Sequence, residues 1–268
     1  MKTPRSILLL LLAALLPACE ENAVLEIAGP PAGGANIKFF NFAVGAPGVN
    51  FYANDTKVTA ISTTTCAALT ESNEAVCTTT GSESTTGVNY GGAANGGSGW
   101  YSDIAPGQYT FSGRIAAAVD KNLPISSAQA NLTTGSHYSY YQSGIYDAVT
   151  KSADAFVVED QLPALDHSVA YVRFVNAMSN TDPMTLYATH RDSAVTTAIG
   201  GVVSYQSGGA FTAVMPGAYD LATRHTGSDV NVITRVNVGF VGGRVYTITA
   251  RGDINVANTI LLDNTANR

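Results

Sequence analysis

The chain contains one pattern of residues twice, and this internal repeat constrains its fold more strongly than any other feature. Residues 37–41, Ile-Lys-Phe-Phe-Asn, correspond to residues 172–176, Val-Arg-Phe-Val-Asn. The other matched segments are residues 49–53 with 184–188, 100–111 with 210–221, 135–138 with 243–246, and 156–158 with 260–262. This self-similarity predicts two copies of one folded unit.

Apolar and polar residues alternate within the matched segments. Ile37 and Phe39 flank Lys38 in the first copy, and the same alternation surrounds Arg173 in the second. A period of two residues is typical of a β-strand with one buried face. We therefore predict strands here, with both cationic side chains facing water.

A Pro-Gly turn recurs at the same place in both copies. Pro106-Gly107 precedes Tyr109, and Pro216-Gly217 precedes Tyr219. Proline presets φ and glycine accepts a positive φ, so each dipeptide predicts a type II turn. The tyrosine after each turn is similar to the tyrosine corner of immunoglobulin-like sandwiches.

The composition agrees with strands rather than helices. Charged residues make up only 13% of the chain, which contains 26 Gly and 13 Tyr and is rich in Thr, Ser and Val. Such residues favour turns and pleated, half-buried surfaces. We predict an all-β protein with two tandem immunoglobulin-like antiparallel β-sandwich domains, residues 36–161 and 169–268, joined by a linker at 162–168.

The N-terminal residues have the pattern of a lipoprotein signal peptide. Basic Lys2 and Arg5 precede the apolar residues 7–16, and the small Ala18 precedes Cys19. The apolar run is too short to span a bilayer as a mature helix. We predict a signal peptide at 1–18 and lipidation of Cys19; the alternatives are an ordinary secretory leader and an uncleaved anchor.

Residues 19–35 predict a flexible tether, because they combine Glu20 and Glu21 with a Gly-Pro-Pro-Ala-Gly-Gly run at 29–34. A lipid on Cys19 would attach the protein to a membrane of the bacterial cell envelope, which we expect to be the outer membrane. Glu20 and Glu21 resemble a surface-export signal of some outer-membrane lineages, so surface display is a further hypothesis. The alternative is a tether that is merely soluble.

The charge of the chain argues against nucleic acid as a partner. Loss of Lys2 and Arg5 with the leader takes the net charge from −6 to −8, since residues 1–18 contain no acidic residue. Phosphate backbones would be repelled. The predicted partners are a membrane, through the N-terminal lipid, and a glycan or an envelope protein.

Copy one is longer than copy two by about 25 residues between its strand at 49–53 and its segment at 100–111. This insertion contains Cys66, Cys77 and the glycine-rich residues 91–97. With Cys19 lipidated, the other two cysteines are predicted to form a disulfide around a turn at 71–74, closing a loop that contributes roughly 3 kcal/mol. The insertion is either a binding loop or an inert excursion.

Aromatic residues of copy one supply the candidate binding site: Trp100, Tyr101 and Tyr90. Flat rings with polar tips suit sugars and protein partners alike. Tyr138 and Tyr140 alternate along one predicted strand, so we expect them to fill the core instead.

No catalytic, metal or cofactor site is predicted. The four histidines do not stand at local ligand spacings, and no serine lies in a Gly-x-Ser-x-Gly motif. His190-Arg191-Asp192 and Arg251-Gly252-Asp253 match known tripeptides by chance, the second of them in a predicted turn. The predicted function is a non-catalytic binding or structural module; the alternative is a hydrolase whose site is assembled from distant loops.

The paired blocks resemble a bacterial family catalogued as a domain of unknown function, of the 4397 type. Its motifs are an alternating strand ending in Asn, a strand ending in Tyr-Ala, a Pro-Gly-x-Tyr turn and a closing apolar strand. The resemblance implies an exported protein, with tandem copies on a lipoprotein, and no activity. The chain departs from the family in its cysteine-bearing insertion and in Ala-Val-Gly-Ala-Pro at 43–47.

Overall fold

Strands make up almost all of the regular structure. The structure, a computed structural model, describes residues 34–58, 61–68, 75–82, 86–94 and 101–268, with the backbone alone at 61–68 and 75–82. Within these ranges the protein is all-β, apart from a 3-10 turn at Ala257–Thr259. None of the helices in the described residues is long and apolar enough to cross a membrane.

Eleven strands lie in what we call the first half of the chain. They are β1 (Ala35–Asn41), β2 (Val49–Ala53), β3 (Thr56–Lys57), β4 (Ile61–Ala68), β5 (Ala75–Ser82), β6 (Gly92–Ala93), β7 (Ser102–Ile104), β8 (Gly107–Ile115), β9 (Pro124–Leu132), β10 (His137–Asp147) and β11 (Ser152–Glu159).

The second half contains nine strands. They are β12 (Ala170–Asn176), β13 (Met184–His190), β14 (Thr196–Val203), β15 (Ser207–Gly208), β16 (Thr212–Val214), β17 (Gly217–His225), β18 (Asn231–Phe240), β19 (Val245–Arg251) and β20 (Leu261–Ala266).

Two sheets of each half, an inner and an outer one, have the same strand order in both halves. The inner sheet of the first half runs β11-β10-β1, with β6 and β7 both paired to β1, and its outer sheet runs β3-β2-β8-β9. In the second half, the inner sheet runs β20-β19-β12, with β15 and β16 paired to β12, and the outer sheet runs β14-β13-β17-β18. The pairs β1 with β10 and β12 with β19 are parallel, and the other pairs are antiparallel.

Apolar side chains fill the space between the two sheets of each half, as in a β-sandwich. Phe39, Phe51 and Phe111 lie in the first core, and Phe174 and Phe240 lie in the second. Tyr138 and Tyr140 belong to the first core, which confirms their predicted role.

A third apolar cluster lies between the two inner sheets. Its first-half residues are Phe40, Phe42, Tyr141 and Phe156, and its second-half residues are Val175 and Ala177. The inner sheets therefore pack against each other, and residues 33–268 form one compact unit.

The third cluster overturns one prediction from the alternation. Lys38 and Arg173 were expected to face water, but each is only 2% exposed. They do lie on the pleat face opposite the core of their own half, as predicted. The prediction was wrong because the other half of the chain, rather than solvent, covers that face.

The recurring Pro-Gly turns keep their tyrosine but not the predicted turn type. Gly107 and Gly217 have φ of +147° and +155°, beyond the value near +80° of a type II turn. The Tyr109 hydroxyl donates to the carbonyl of Ala105 at 2.9 Å, and the Tyr219 hydroxyl donates to that of Met215 at 2.7 Å. These bonds to the backbone four residues upstream are those of a tyrosine corner.

We expect Tyr219→Phe to lower the free energy of unfolding by about 1 kcal/mol, because the carbonyl of Met215 loses its donor in a partly buried place. Tyr109→Phe is the matched variant, and its smaller cost reflects a bond that is exposed to water. Urea unfolding of both variants measures the difference. Equal costs would contradict this assignment.

The insertion interrupts an edge strand. In the second half, one continuous strand, β14, pairs with the edge of β13. In the first half, the same edge of β2 pairs with the short β3 and with a single bridge between Val49 and Val88. The hairpin β4-β5 forms a separate two-stranded sheet between them. Gly92 lies in β6, which pairs with β1, so part of the glycine run assigned to the insertion belongs to the inner sheet instead.

The final match of the repeat shifts by three residues. Phe156 faces Tyr141 on β10, and Asp263 faces Thr249 on β19. Residues 156–158 therefore correspond to 263–265 rather than to 260–262. Matching by apolar residues gave the wrong correspondence. β11 has three adjacent apolar residues, whereas in β20 only alternate residues, beginning with Leu262, face the core.

Candidate functional site

A buried group of polar side chains lies between the two inner sheets, where the linker leaves β11. We call it the junction cluster. It comprises Lys38, Tyr101, Asp160, Arg173, Thr247 and Asn267.

Arg173, on β12, reaches from the second half into the first. Its Nη2 forms an ion pair with Asp160, its Nη1 donates to the carbonyl of Glu159 at 3.1 Å, and its Nε donates to Thr247 Oγ1 at 2.9 Å. The guanidinium also lies over the ring of Phe211, 4.9 Å from the centroid. Nη1 and Nη2 of Arg173 thus bond to the first half, and Nε bonds to the second.

Lys38, on β1, reaches in the opposite direction. Its Nζ donates to the carbonyl of Ala266 at 2.6 Å and lies 4.3 Å from the centroid of the Tyr101 ring. The ring face offers the ammonium a cation-π contact. The charge of Lys38 is therefore stabilised by Ala266 of the second half and by Tyr101 of the first.

Asp160 is the acceptor at the centre of the junction cluster. Besides Arg173, its Oδ2 accepts from Tyr101 at 2.6 Å, from Ser139 at 2.7 Å and from Asn267 Nδ2 at 3.4 Å. Asn267 Nδ2 also donates to the Tyr101 hydroxyl at 2.9 Å. The carboxylate, which is 2% exposed, is therefore satisfied from both halves.

Burial and charge shift the proton affinities of this group. Burial lowers the pKa of Lys38 to about 8, with Asp160 opposing the shift and Arg173 adding to it. Burial and the neighbouring Asp160 raise the pKa of Tyr101. Burial alone would lower the pKa of Arg173, but Asp160, Tyr141 and Tyr101 together raise it above its ordinary value. The cluster holds two basic side chains and one acidic one.

Two of the three predicted aromatic contact residues lie between the halves. Tyr101 belongs to the junction cluster. The Tyr90 hydroxyl donates to the carbonyl of Thr259 at 2.8 Å, and Arg251 lies over the Tyr90 ring at 4.7 Å. Trp100 lies outside the described residues, as does Cys19. The structure thus joins Tyr90 and Tyr101 to the second half.

Two clefts border the junction cluster. One, of about 460 Å³, is lined by Ser136, His137 and Gln161 from the first half and by Asn267 and Arg268 from the second half. The other, of about 430 Å³, is lined by Pro163, Gly209 and Phe211, with Arg173 at its wall. Burial lowers the pKa of His137, and the nearby Asp160 opposes this shift.

The other histidines lie apart from this place. His190 accepts through Nδ1 from the amides of Asp192 and Ser193, so the His-Arg-Asp tripeptide forms a loop around its own side chain. His225 Nε2 lies 2.8 Å from Thr181 Oγ1. In the described residues, no three His, Cys, Asp or Glu side chains gather as a metal site would require.

The Arg251-Gly252-Asp253 tripeptide ends a strand, as predicted. Arg251 is the last residue of β19 and forms an ion pair with Asp263. Asp253 accepts from Asn180 Nδ2 at 2.7 Å. Both charged ends of the tripeptide are therefore bonded within the fold.

The predicted disulfide has a backbone arrangement that permits it. Cys66 on β4 lies directly opposite Cys77 on β5 in an antiparallel pair. Opposed residues of such a pair have Cα atoms about 4.5–5.5 Å apart, within the range that a disulfide spans. Residues 71–74, the predicted turn, lie outside the described residues.

We expect Cys66 and Cys77 to form a disulfide when the protein folds under oxidising conditions. Alkylation of the denatured chain should label neither residue before reduction and both afterwards, as read by peptide mass spectrometry. In Cys66→Ser, Cys77 should be labelled without reduction. Labelling of both cysteines in the untreated wild-type protein would contradict the prediction.

The comparisons with known proteins bear on the family of this fold. The family described as "Domain of unknown function (DUF4397)" matches residues 35–187, more than half of the 268-residue chain. The chain belongs to this family. The DUF4397 match begins at β1 and ends within β13.

Curated proteins and solved structures add little to the DUF4397 assignment. A search of curated proteins found no match. Among solved structures, the Bacillus anthracis TIE protein is similar over 83% of this chain and 34% of its own, with 13% identity and a TM-score of 0.24. The chain thus spans about a third of the length of that protein.

Sequence reasoning missed the junction of this DUF4397 protein, although a signal was present. Lys38 and Phe40 lie on one pleat face of β1, and Arg173 and Val175 do so on β12. An apolar residue beside a cation on the supposed solvent face is typical of a strand buried on both sides, but it does not identify what covers that face.

Proposed function

We propose that this DUF4397 protein is a non-catalytic binding or structural module of the bacterial cell envelope, held at the outer membrane by a lipid on Cys19. One observation carries the proposal. Lys38 and Tyr101, two side chains whose pKa values are shifted chiefly by burial, are bonded to other residues between the inner sheets. Their polar atoms stabilise a scaffold and are not directed at a substrate.

Residues 36–161 and 169–268 are, in this proposal, two tandem immunoglobulin-like sandwiches. Three features support it: the repeated strand order of the sheets, a separate core in each half, and a tyrosine-corner bond at Tyr109 and Tyr219. Loops on such sandwiches commonly carry binding residues.

The cleft beside His137 is the proposed contact site for a glycan or an envelope protein. Its volume of about 460 Å³ lies within the usual range of ligand sites. Ser136, Gln161 and Arg268 offer hydroxyl, amide and guanidinium groups, which can bond to sugar hydroxyls or to a protein backbone. Both halves contribute to it, so their packing is required for the site.

Binding of the full chain to a glycan array and to envelope extract tests this function. We expect Gln161→Ala with Arg268→Ala to reduce retention of the bound partner at least tenfold, as expected when hydrogen bonds to a charged group are lost. The matched control is Arg191→Ala, an exposed arginine of the second half. Absence of any partner would reject a binding role, and equal binding by both variants would reject this cleft.

Trp100→Ala belongs in the same assay because Trp100 is one of the three aromatic contact residues that the sequence predicts. If binding falls in Trp100→Ala and is unchanged in the cleft variant, the contact site lies near the insertion rather than beside His137.

The proposed lipid anchor predicts a change of cell fraction. In the expressing bacterium, Cys19→Ser should remove labelling by an alkyne fatty acid and release the protein from the membrane fraction, because acyl chains supply the attachment. Cys66→Ser is the control, and this variant should keep both the fatty-acid label and its place in the membrane fraction. A Cys19→Ser protein that stays in the membrane fraction would contradict lipid anchoring.

Hydrolysis is the second candidate function, and one observation favours it. A cleft of about 430 Å³ contains Ser179, Thr181, Asp182 and His225, with a hydroxyl 2.8 Å from the imidazole. A base beside a hydroxyl is the minimum of a nucleophilic site. Activity against ester and glycoside panels that is lost in His225→Ala would support a hydrolase.

A further inference from the structure

The contacts between the two halves occur in equivalent pairs. Lys38 donates to the carbonyl of Ala266, and Arg173 donates to that of Glu159. Ala266 and Glu159 occupy the same place, since they face Tyr246 and Tyr138 at matching positions of β19 and β10. Each half therefore gives the other the same bond.

A second pair of contacts repeats this exchange. Tyr90 lies two residues before β6, which pairs with the end of β1, and Tyr205 lies two residues before β15, which pairs with the end of β12. Tyr90 donates to the carbonyl of Thr259 in the second half, and Tyr205 donates to Asp154 Oδ2 in the first at 2.8 Å. Reciprocal contacts of this kind are those of a two-fold interface between two copies of one module.

The side chains of this interface are nevertheless complementary in size rather than alike. Phe40 and Phe42 of the first half correspond to Val175 and Ala177 of the second. Two first halves would place aromatic rings against aromatic rings, which overfills the space, and two second halves would leave a void. The pairing of one first half with one second half avoids both.

Charge selects the same pairing. Asp160 follows Glu159 in the first half, and its equivalent in the second half is Asn267. Two second halves would bury two copies of Arg173 with no carboxylate from this position, which is costly for buried charges. A first half is required to supply the acid.

We infer that the outward faces of β1-β10-β11 and β12-β19-β20 are a recognition surface, through which the two halves bind each other one to one without the linker. The partner of each half is the other half, and pairs of identical halves are excluded. Residues 164–168 of the linker are exposed, and Asp160 precedes the linker, so a cut in the linker leaves Asp160 with the first half.

Cutting the linker of the folded full chain tests this inference. A specific protease sequence replaces residues 164–166, which are exposed, and the protein is cleaved after folding. We expect the two fragments to elute together and to give a one-to-one complex by native mass spectrometry. Separate folded fragments, or complexes of two identical fragments, would overturn the inference.

Exchange between labelled and unlabelled cleaved protein gives a rate for the same contact. Tyr205→Phe should speed the exchange roughly tenfold, because the ring remains and the bonds to Ser143 and Asp154 are lost. Tyr187→Phe, on the outer sheet, is the matched control and should exchange as the wild type does. An unchanged rate in Tyr205→Phe would contradict its role.

Ala177→Phe tests the selection by size. The added ring should release the fragments after cleavage, while Val202→Phe, at an exposed place on β14, should leave the complex intact. Because Ala177→Phe can also impair folding, circular dichroism of the uncleaved chain accompanies the assay. Folded Ala177→Phe protein whose fragments stay together would refute selection by size. If the uncleaved variant does not fold, native mass spectrometry of the cleaved wild-type protein tests selection by size instead. Complexes of two identical fragments in that measurement would refute selection by size.

Discussion

Arg173→Met should lower the free energy of unfolding by about 3–5 kcal/mol, the largest effect expected of any single charge substitution described above. The substitution leaves Asp160 buried with its remaining donors, Tyr101, Ser139 and Asn267, but without its ion-pair partner. A buried carboxylate that loses its counter-charge bears the cost of desolvation uncompensated. Chemical denaturation at pH 7 measures the loss.

Two comparisons separate this effect from the removal of any arginine. Arg191→Met breaks an ion pair with Asp220 that is about half exposed, and it should cost less than 1 kcal/mol. Adding Asp160→Asn to Arg173→Met should recover much of the loss, since a neutral amide then occupies the place that Asn267 has in the other half. Equal costs for the two arginine variants would show that the junction charge is unimportant.

The stability of the wild-type protein should rise between pH 8 and about 10 because of Lys38. Its pKa is about 8 in the fold and 10.5 ordinarily, so between these values the unfolded chain binds a proton that the folded chain has released. The free energy of unfolding then increases with pH, by roughly 3 kcal/mol over the whole window. Below pH 8 both states bind the proton, and the cost of burying the charge is present in full.

Lys38→Met isolates this contribution. The difference in unfolding free energy between the wild type and Lys38→Met should be constant below about pH 7 and should change by roughly 2 kcal/mol between pH 7 and 9.5, which is part of the full change. The charged or titratable neighbours Asp160, Arg173 and Tyr101 are present in both proteins. Tyrosines with raised pKa, such as Tyr101, lower stability above pH 10, so the measurement ends near pH 9.5. A pH-independent difference would show that Lys38 is not a titrating group of the junction.

Much of the sandwich follows from sequence patterns because one strand period and one turn recur. The alternation around Ile37 and Val172 predicts strands that the structure contains, and the Pro-Gly-x-Tyr segments predict the tyrosine corners. These features depend on neighbours in sequence, where steric preferences of the backbone act directly.

The junction was not predictable in the same way. The alternation of side chains along a strand predicts that Lys38 and Ile37 point to opposite faces. It does not predict whether water or a second sheet covers the face of Lys38. Asp160 lies just past the end of β11, 122 residues after Lys38 and 13 residues before Arg173, so no spacing motif links the three. Only packing of the halves brings them together.

The strand that receives the N-terminal segment is flanked on both sides, by β10 and by β6 and β7. A pull on residue 34 would therefore act along β1 against hydrogen bonds to three strands at once, loading them in shear rather than opening them one by one. Because Lys38 contacts the second half and Phe40 packs against it, the load would pass into both halves. A force applied at residue 34 therefore meets one of the places in the fold least able to peel away.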